Sequence, residues 1–305
     1  MTRASSALRI LAFGSLLFAR ASWAPSPAHW ASARVQNPAT VGDMENSPHL
    51  FLGRPGVGQN GRTLIARRGY ACLHDSFRKV PLWVSYRLTR EDLKNLLKRP
   101  KPEPFKADPD LKKKFRAELT DYRRSGWDRG HMAPSEHMSR DVDTQAESYF
   151  LSNIAPQNGI TNNQGFWRVL EGTHKSYAER FREIYVIVGP IFDRLPEPGE
   201  GPLPAAIGNN LVSVPTHFYR IVVRRTGSGK YTALAFIVPN REIYPPGYPT
   251  PSGKVKAKDH EYEAYQRNFL RTIDEIEAHT GLDFCNALPV GQQSKFESKK
   301  PSKPW

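Results

Sequence analysis

The first apolar-rich stretches are Thr63–Cys72 and Leu82–Leu88, the second with aromatic and β-branched alternation in Trp83-Val84-Ser85-Tyr86. Both stretches read as strands. Thr89 ahead of Glu91-Asp92 fits a capped first turn, so a short helix is expected to run to about Lys98. Residues 99–110 hold four prolines (Pro100, Pro102, Pro104, Pro109) and read as loop. A second short helix is expected over Leu111–Leu119. Thr161 or Asn162 is placed to cap a longer one reaching about Ile184, with Phe166, Trp167, Leu170, Tyr177 and Phe181 near helical spacing.

Strands return at Ile184–Val188, His217–Arg224 and Tyr231–Pro239, the last two joined by the turn Thr226-Gly227-Ser228-Gly229. His260–Ala278 reads as a long amphipathic helix closed by Gly281, and a last short strand is expected around Phe284. Hairpin-linked strands with helices grouped between them predict an α+β fold rather than a parallel α/β one. No internal repeat is visible.

The two ends change the picture. Arg3 and Arg9 precede the apolar run Ile10–Ala19, which is too short to span a bilayer, and Ser22-Trp23-Ala24 is a plausible cleavage site. Residues 1–24 therefore read as a secretory signal peptide for a secreted or periplasmic product. The first 42 residues carry four arginines and no acid, so a mitochondrial transit peptide is the alternative. Residues 25–62 read as an extended arm, 63–291 as the catalytic-sized domain, and the Lys-rich 292–305 as a disordered basic tail. No later segment reads as membrane-bound.

The chain of 305 residues has 44 Lys and Arg against 30 Asp and Glu, a net charge of +14. After the four N-terminal arginines and the tail's four lysines and one glutamate are set aside, the body keeps seven excess positive charges. That suits a polyanionic partner, and equally suits solubility. Only Cys72 and Cys285 are present, as one disulfide or two buried thiols, and their spacing matches no zinc site.

Candidate chemistry sits in Ser125-Gly126-Trp127-Asp128-Arg129-Gly130-His131-Met132-Ala133-Pro134. Four of these residues bring a carboxylate, a guanidinium and an imidazole together. A neutral imidazole, with a pKa near ~6.5, takes a proton from water at physiological pH, and an arginine neutralises charge on a transferring phosphoryl group. A bare Asp-Arg-Gly-His, however, is more often a surface turn with an ordinary ion pair. The downstream run Tyr149-Phe150-Leu151-Ser152-Asn153-Ile154-Ala155-Pro156-Gln157, followed by Asn162-Asn163-Gln164-Gly165-Phe166-Trp167-Arg168-Val169-Leu170-Glu171, weighs against that. A helix starting near Asn162 puts Asn163, Trp167, Glu171 and Lys175 on one side. An amide oxygen and a second carboxylate there suit Mg²⁺, which keeps most of its waters.

In this order the two segments resemble the DNA/RNA non-specific endonuclease family, the endonuclease G-like branch of the ββα-metal (His-Me finger) nucleases, over roughly Arg78 to Pro289. The resemblance implies a ββα-metal core on a mainly antiparallel sheet with flanking helices. It implies Mg²⁺, with Mn²⁺ tolerated, DNA and RNA as partners, a possible homodimer, and products with 5′-phosphate and 3′-hydroxyl ends. His131 is similar to the family's general base and Asn163 to its one direct metal ligand. Glu171 would hold one of the metal's waters, Arg129 would stabilise the charged phosphorane, and Asp128 would orient the site. Asn153 and Lys175 match positions that support the site or bind substrate. Arg87, Arg90 and Arg99 are all candidates for an upstream arginine, and none is assigned.

Outside these motifs the residues read plainly. His137 and His174 are expected as polar loop or helix residues. Trp127 and Trp167 read as packing residues before base-stacking ones, and Lys112-Lys113-Lys114 as either a solvated face or a phosphate contact. Two other functions stay open: a narrower phosphodiesterase or exonuclease of the same fold, and a non-catalytic basic nucleic-acid-binding protein.

Overall fold

A computed structural model describes residues 47–56, 60–192, 205–244 and 258–305. The expected targeting peptide and most of the arm lie outside the described residues. In chain order the elements begin with strands β1 (Arg62–Ala66), β2 (Ala71–Asp75) and β3 (Val80–Thr89), then a one-turn helix α1 (Leu119–Tyr122). Next come β4 (Asp128–His131), α2 (Val142–Ser148), β5 (Ile154–Gln157) and α3 (Arg168–Phe181). β6 (Glu183–Ile191), the short pair β7 (Ala206–Ile207) and β8 (Val212–Ser213), and the hairpin β9 (His217–Arg225) and β10 (Tyr231–Pro239) follow. The chain closes with α4 (Asp259–Tyr265), β11 (Leu270–Arg271), α5 (Ile273–Thr280) and α6 (Val290–Glu297).

Seven strands make one antiparallel sheet in the order β1-β2-β3-β6-β9-β10-β11, while β4 and β5 pair as a separate two-stranded ribbon. The expected α+β class with a mainly antiparallel sheet is observed. Both faces of the sheet are buried, and the period-2 alternation sorts the side chains between them. Tyr86, Val186, Val222 and Phe236 point to the layer that holds α3 and the β4–β5 ribbon. Trp83, Ile187, Ile221 and Ile237 point to the layer that holds α5 and residues 50–52. Among the described residues no helix is long and apolar enough to cross a membrane.

Several expected elements are different. The stretch Thr63–Cys72 is two strands with a turn between them. The expected helices near 89–98 and 111–119 shrink to single 3-10 turns at Glu91–Leu93 and Lys113–Phe115, followed by α1. The long helix expected over His260–Ala278 breaks at Gln266–Phe269 so that Leu270 and Arg271 add a strand to β10, whose free edge needs hydrogen-bond partners. α5 then ends at Gly281 in the left-handed conformation, as expected. Around Phe284 there is one bridge, Gly56 to Asp283, rather than a strand.

The tail from 292 is not disordered: α6 occupies 290–297, and Trp305 packs 5.3 Å from the Tyr177 ring under the Arg224 guanidinium. The arm's last residues also belong to the domain, since Leu52 is buried and Phe51 stacks on Tyr185 at 4.2 Å. Cys72 and Cys285 are both free and buried, which settles the disulfide alternative in favour of two thiols.

One buried ion pair pins the Pro-rich loop to the sheet. Asp108 is fully buried and accepts from Arg67 Nη2 through both oxygens, at 2.7 and 2.8 Å, and from the Ser152 hydroxyl. Arg67 also reaches Asp110 at 2.6 Å and covers the Phe150 ring. Removing one member of such a pair strands the other charge in a low dielectric. Asp108→Ala is therefore expected to destabilise the fold by about 3–5 kcal/mol in urea unfolding. A loss below about 1 kcal/mol, the range of an exposed pair, would show the loop is not held this way.

Candidate active site

The β4–β5 ribbon carries the first motif. Gly130 faces Ala155, and a Cβ on it would stand 2.2 Å from the Gln157 amide oxygen, so only glycine lets the ribbon close. His131 ends β4 with its ring edge-on to Tyr149 and tilted against Phe105, each about 5.1–5.2 Å away between centroids. Its Nε2 is buried without a hydrogen-bond partner among the described residues. Burial first, then the nearby Arg99 and Arg129 guanidinium groups, hold its pKa at about 3 instead of the ordinary 6.5. The imidazole is thus neutral at any physiological pH, the form that accepts a proton.

The second motif meets it from the opposite wall. Before α3, residues Gly159–Trp167 wind as a wider π turn, with Asn163 N donating to Asn158 O at 3.0 Å. Asn162 points inward, fully buried, and donates to the carbonyl of Pro239. Asn163 faces the groove. Its Nδ2 donates to Asp128 Oδ2 at 3.0 Å, and Gln164 Nε2 donates to the same oxygen at 2.9 Å. With its NH₂ group turned to Asp128, the amide presents Oδ1 as its free acceptor.

Glu171, one turn into α3, lines the same groove, which encloses about 900 Å³. Burial pushes its carboxyl up to about 7, against the pull of the Arg220 guanidinium 3.7 Å away. Arg129 reaches into the groove with its guanidinium over the Phe105 ring at 4.2 Å. Arg123 and Arg124 join it there, and none of the three has a carboxylate partner among the described residues.

The structure thus brings Asp128, Arg129, His131, Asn163 and Glu171 around one groove. Neither Asn153 nor Lys175 lines that groove. Asn153 is fully buried, its Oδ1 accepting from Ala133 N and its Nδ2 donating to the carbonyls of Ala133 and Ser148, so it braces the chain after His131. Lys175 ends on Glu136 at 2.7 Å. Of the three upstream arginines, Arg99 lines the groove. Arg87 is paired with Glu183 on β6, and Arg90 donates to the carbonyls that end α3. Trp127 lines the groove half-buried, whereas Trp167 is core. His174 is a helix residue on α3 and His137 follows Pro134, but both are buried rather than exposed to solvent. The sequence signal for them was missed because a lone histidine carries no pattern.

A family model described as DNA/RNA non-specific endonuclease matches residues 52–291. The chain is 35% identical over 250 residues to Nuclease C1 of Cunninghamella echinulata var. echinulata, covering 80% of this chain and 95% of that one. It is 31% identical to the protein named Nuclease EXOG, mitochondrial, of Danio rerio, over 82% of this chain and 68% of that one. Among solved structures, a chain of the EndoG/EndoGI complex superposes with a TM-score of 0.66 at 29% identity, covering 80% of this chain and 92% of that one.

Buried titratable groups make stability depend on pH. His49 is held at about 4, and His131 and His137 at about 3, so each stays neutral in the fold while the unfolded chain takes up a proton below 6.5. Their stabilisation is complete above pH 6.5 and is lost as pH falls towards those values. Glu171 and Glu297, raised to about 7 and 8, work the other way between those values and the ordinary 4.5. With His74 and His174 also lowered and Glu147 and Glu277 also raised, five imidazoles stand against four carboxyls, and each uncompensated imidazole is worth about 1.4 kcal/mol per pH unit. The melting temperature is expected to fall from pH 6.5 to 4.5, and calorimetry showing a rise would contradict this balance.

Proposed function

Because this chain belongs to the DNA/RNA non-specific endonuclease family and so is a nuclease acting on nucleic acid, we propose that it is a Mg²⁺-dependent endonuclease that hydrolyses DNA and RNA without regard to sequence or sugar. The products would carry 5′-phosphate and 3′-hydroxyl ends. The observation that carries this reading is the convergence of a neutral buried imidazole, an oriented amide oxygen and a carboxylate in one arginine-lined groove.

The donor set fits a hard divalent cation. The Asn163 Oδ1 is turned from Asp128, and the Glu171 carboxylate shares its groove, which supplies oxygen ligands and leaves room for water. When bound, such a cation neutralises charge that builds on the phosphate oxygens. The protein's own groups do the rest. His131 takes a proton from the attacking water as the water oxygen bonds phosphorus. The bond from phosphorus to the 3′-oxygen breaks, and that oxygen takes a proton from solvent. Arg129, which lines the same groove, would offset the charge of the five-coordinate phosphorus.

Relatives named mitochondrial nucleases support the transit-peptide reading of the N-terminus over the secretory one. Homodimerisation belongs to the same proposal and is checked by light scattering.

The direct test is cleavage of supercoiled plasmid and of RNA, with Mg²⁺ or with EDTA. Both polymers are expected to be cut with Mg²⁺ and neither with EDTA. His131→Ala is expected to lower kcat by about 10²- to 10⁴-fold, and Asn163→Ala to raise the Mg²⁺ concentration needed. Cleavage of only one polymer would narrow the enzyme to a more selective phosphodiesterase. Binding without cleavage under Mg²⁺ or Mn²⁺ would reject catalysis by this groove.

A further inference from the structure

Beneath the groove, β9 carries a charge where its alternation calls for an apolar residue. Phe218 and Val222 point into the layer beneath α3, and Arg220 between them points the same way, fully buried. A guanidinium costs several kcal/mol to remove from water, so a position serving packing alone would favour a hydrocarbon side chain. The surrounding polar groups are instead arranged around it.

Arg220 Nε donates to His174 Nδ1 at 2.8 Å, and Nη2 donates to the Tyr86 hydroxyl at 2.6 Å. That hydroxyl lies 3.0 Å from His137 Nδ1, and His137 Nε2 lies 3.2 Å from the Glu171 carbonyl oxygen. The donors and acceptors run one way only. Tyr86 accepts from Arg220 and donates to His137 Nδ1, which leaves the His137 proton on Nε2, directed at Glu171. The remaining nitrogen, Nη1, has no hydrogen-bond partner among the described residues and faces Glu171 Oε1 at 3.7 Å, a buried oxygen equally without one there. Both ends of the same glutamate, its carbonyl and its carboxylate, are thus met by one buried network.

We propose that Arg220 is a positioning residue for the hydrolysis: through its charge on Oε1, and through Tyr86 and His137 to the Glu171 carbonyl, it fixes the aim of Glu171 into the groove. This rests on the reading above in which Glu171 serves the reaction. The network spans β3, β9, α3 and the segment after Pro134, so the sheet itself is the reference frame for the carboxylate. Arg220 touches neither the substrate groove nor the metal ligand Asn163, and it acts only by way of Glu171.

The test is a double-mutant cycle on the full chain, with Mg²⁺ and a defined duplex, reading kcat, KM and thermal unfolding. Arg220→Lys keeps the charge but loses the three-way geometry. It is expected to lower kcat by about 10- to 100-fold, the usual cost of losing a residue that orients a ligand or catalytic group, with KM unchanged. In a Glu171→Ala background the same change should alter kcat by less than about 2-fold, because the group it acts through is gone. Tyr86→Phe removes one hydroxyl, is expected to follow the same pattern more weakly, and takes the place of Arg220→Lys if that variant does not fold. A loss that carries over in full to the Glu171→Ala background, or an unchanged kcat in the single variants, overturns the inference while leaving the role of Glu171 intact. Wild-type kcat in Glu171→Ala alone overturns the role of Glu171, and this inference with it.

Discussion

The hydrogen bond from the Asn163 amide to the Asp128 carboxylate is the contact on which the site depends. Asp128 stands at the start of β4 and Asn163 in the turn ahead of α3, and the two are 35 residues apart in sequence. A side-chain amide is ambiguous about its orientation until something takes its hydrogens. Asp128 takes one, and holds Gln164 as well, so the amide oxygen is left as the acceptor on the groove side. The same carboxylate thereby sets the distance between the ribbon that ends in His131 and the helix that carries Glu171. Gly130 makes this possible from below, because its missing Cβ lets Gln157 lie against the ribbon.

Burial then acts on the two titratable groups with one physics and opposite consequences. Loss of water disfavours the charged form of either. For His131 that keeps the imidazole neutral, the form able to accept a proton. For Glu171 it is adverse, since a carboxyl pushed up to about 7 is drawn towards its neutral form. The guanidinium of Arg220 offsets this from the core side, while Arg99, Arg123, Arg124 and Arg129 collect on the open side. The groove is therefore cationic at its rim and mixed at its floor, a distribution that suits a polyanion.

Supports remote from the floor matter through the same constraint. The Pro-rich loop brings Arg99 and Phe105 to the groove, and Phe105 touches both His131 and Arg129. Prolines stiffen that loop but do not attach it to anything. The buried Asp108, with Arg67 and Ser152, supplies the attachment. Asn153 does comparable work behind His131, with every polar atom of its side chain spent on backbone. Of the two readings its motif position allows, support or substrate contact, Asn153 shows the first: it fastens the chain that follows His131.

The strands with clean period-2 alternation, the Thr226–Gly229 turn and the glycine that closes α5 were legible in the sequence, because each follows from interactions within a few residues. So were His131, Asn163 and Glu171, because a motif keeps its spacing and its residue types together. The helix expected over His260–Ala278 was misread because its break is caused by the edge of β10, which lies elsewhere in the chain. The basic tail was misread because its polar composition hides one residue, Trp305, that finds an aromatic surface on α3. Arg220 had a local signal, a charge between Phe218 and Val222 in an apolar alternation, yet its meaning depends on partners from two other elements, β3 and α3. Sequence alone marked out Asp128, Arg129, His131, Asn163 and Glu171, which the fold brings to one groove, and the period of the elements that bear them. Only the tertiary structure decided which polar side chains face the groove and which are buried as supports, because desolvation and hydrogen-bond pairing are set by neighbours that are distant along the chain.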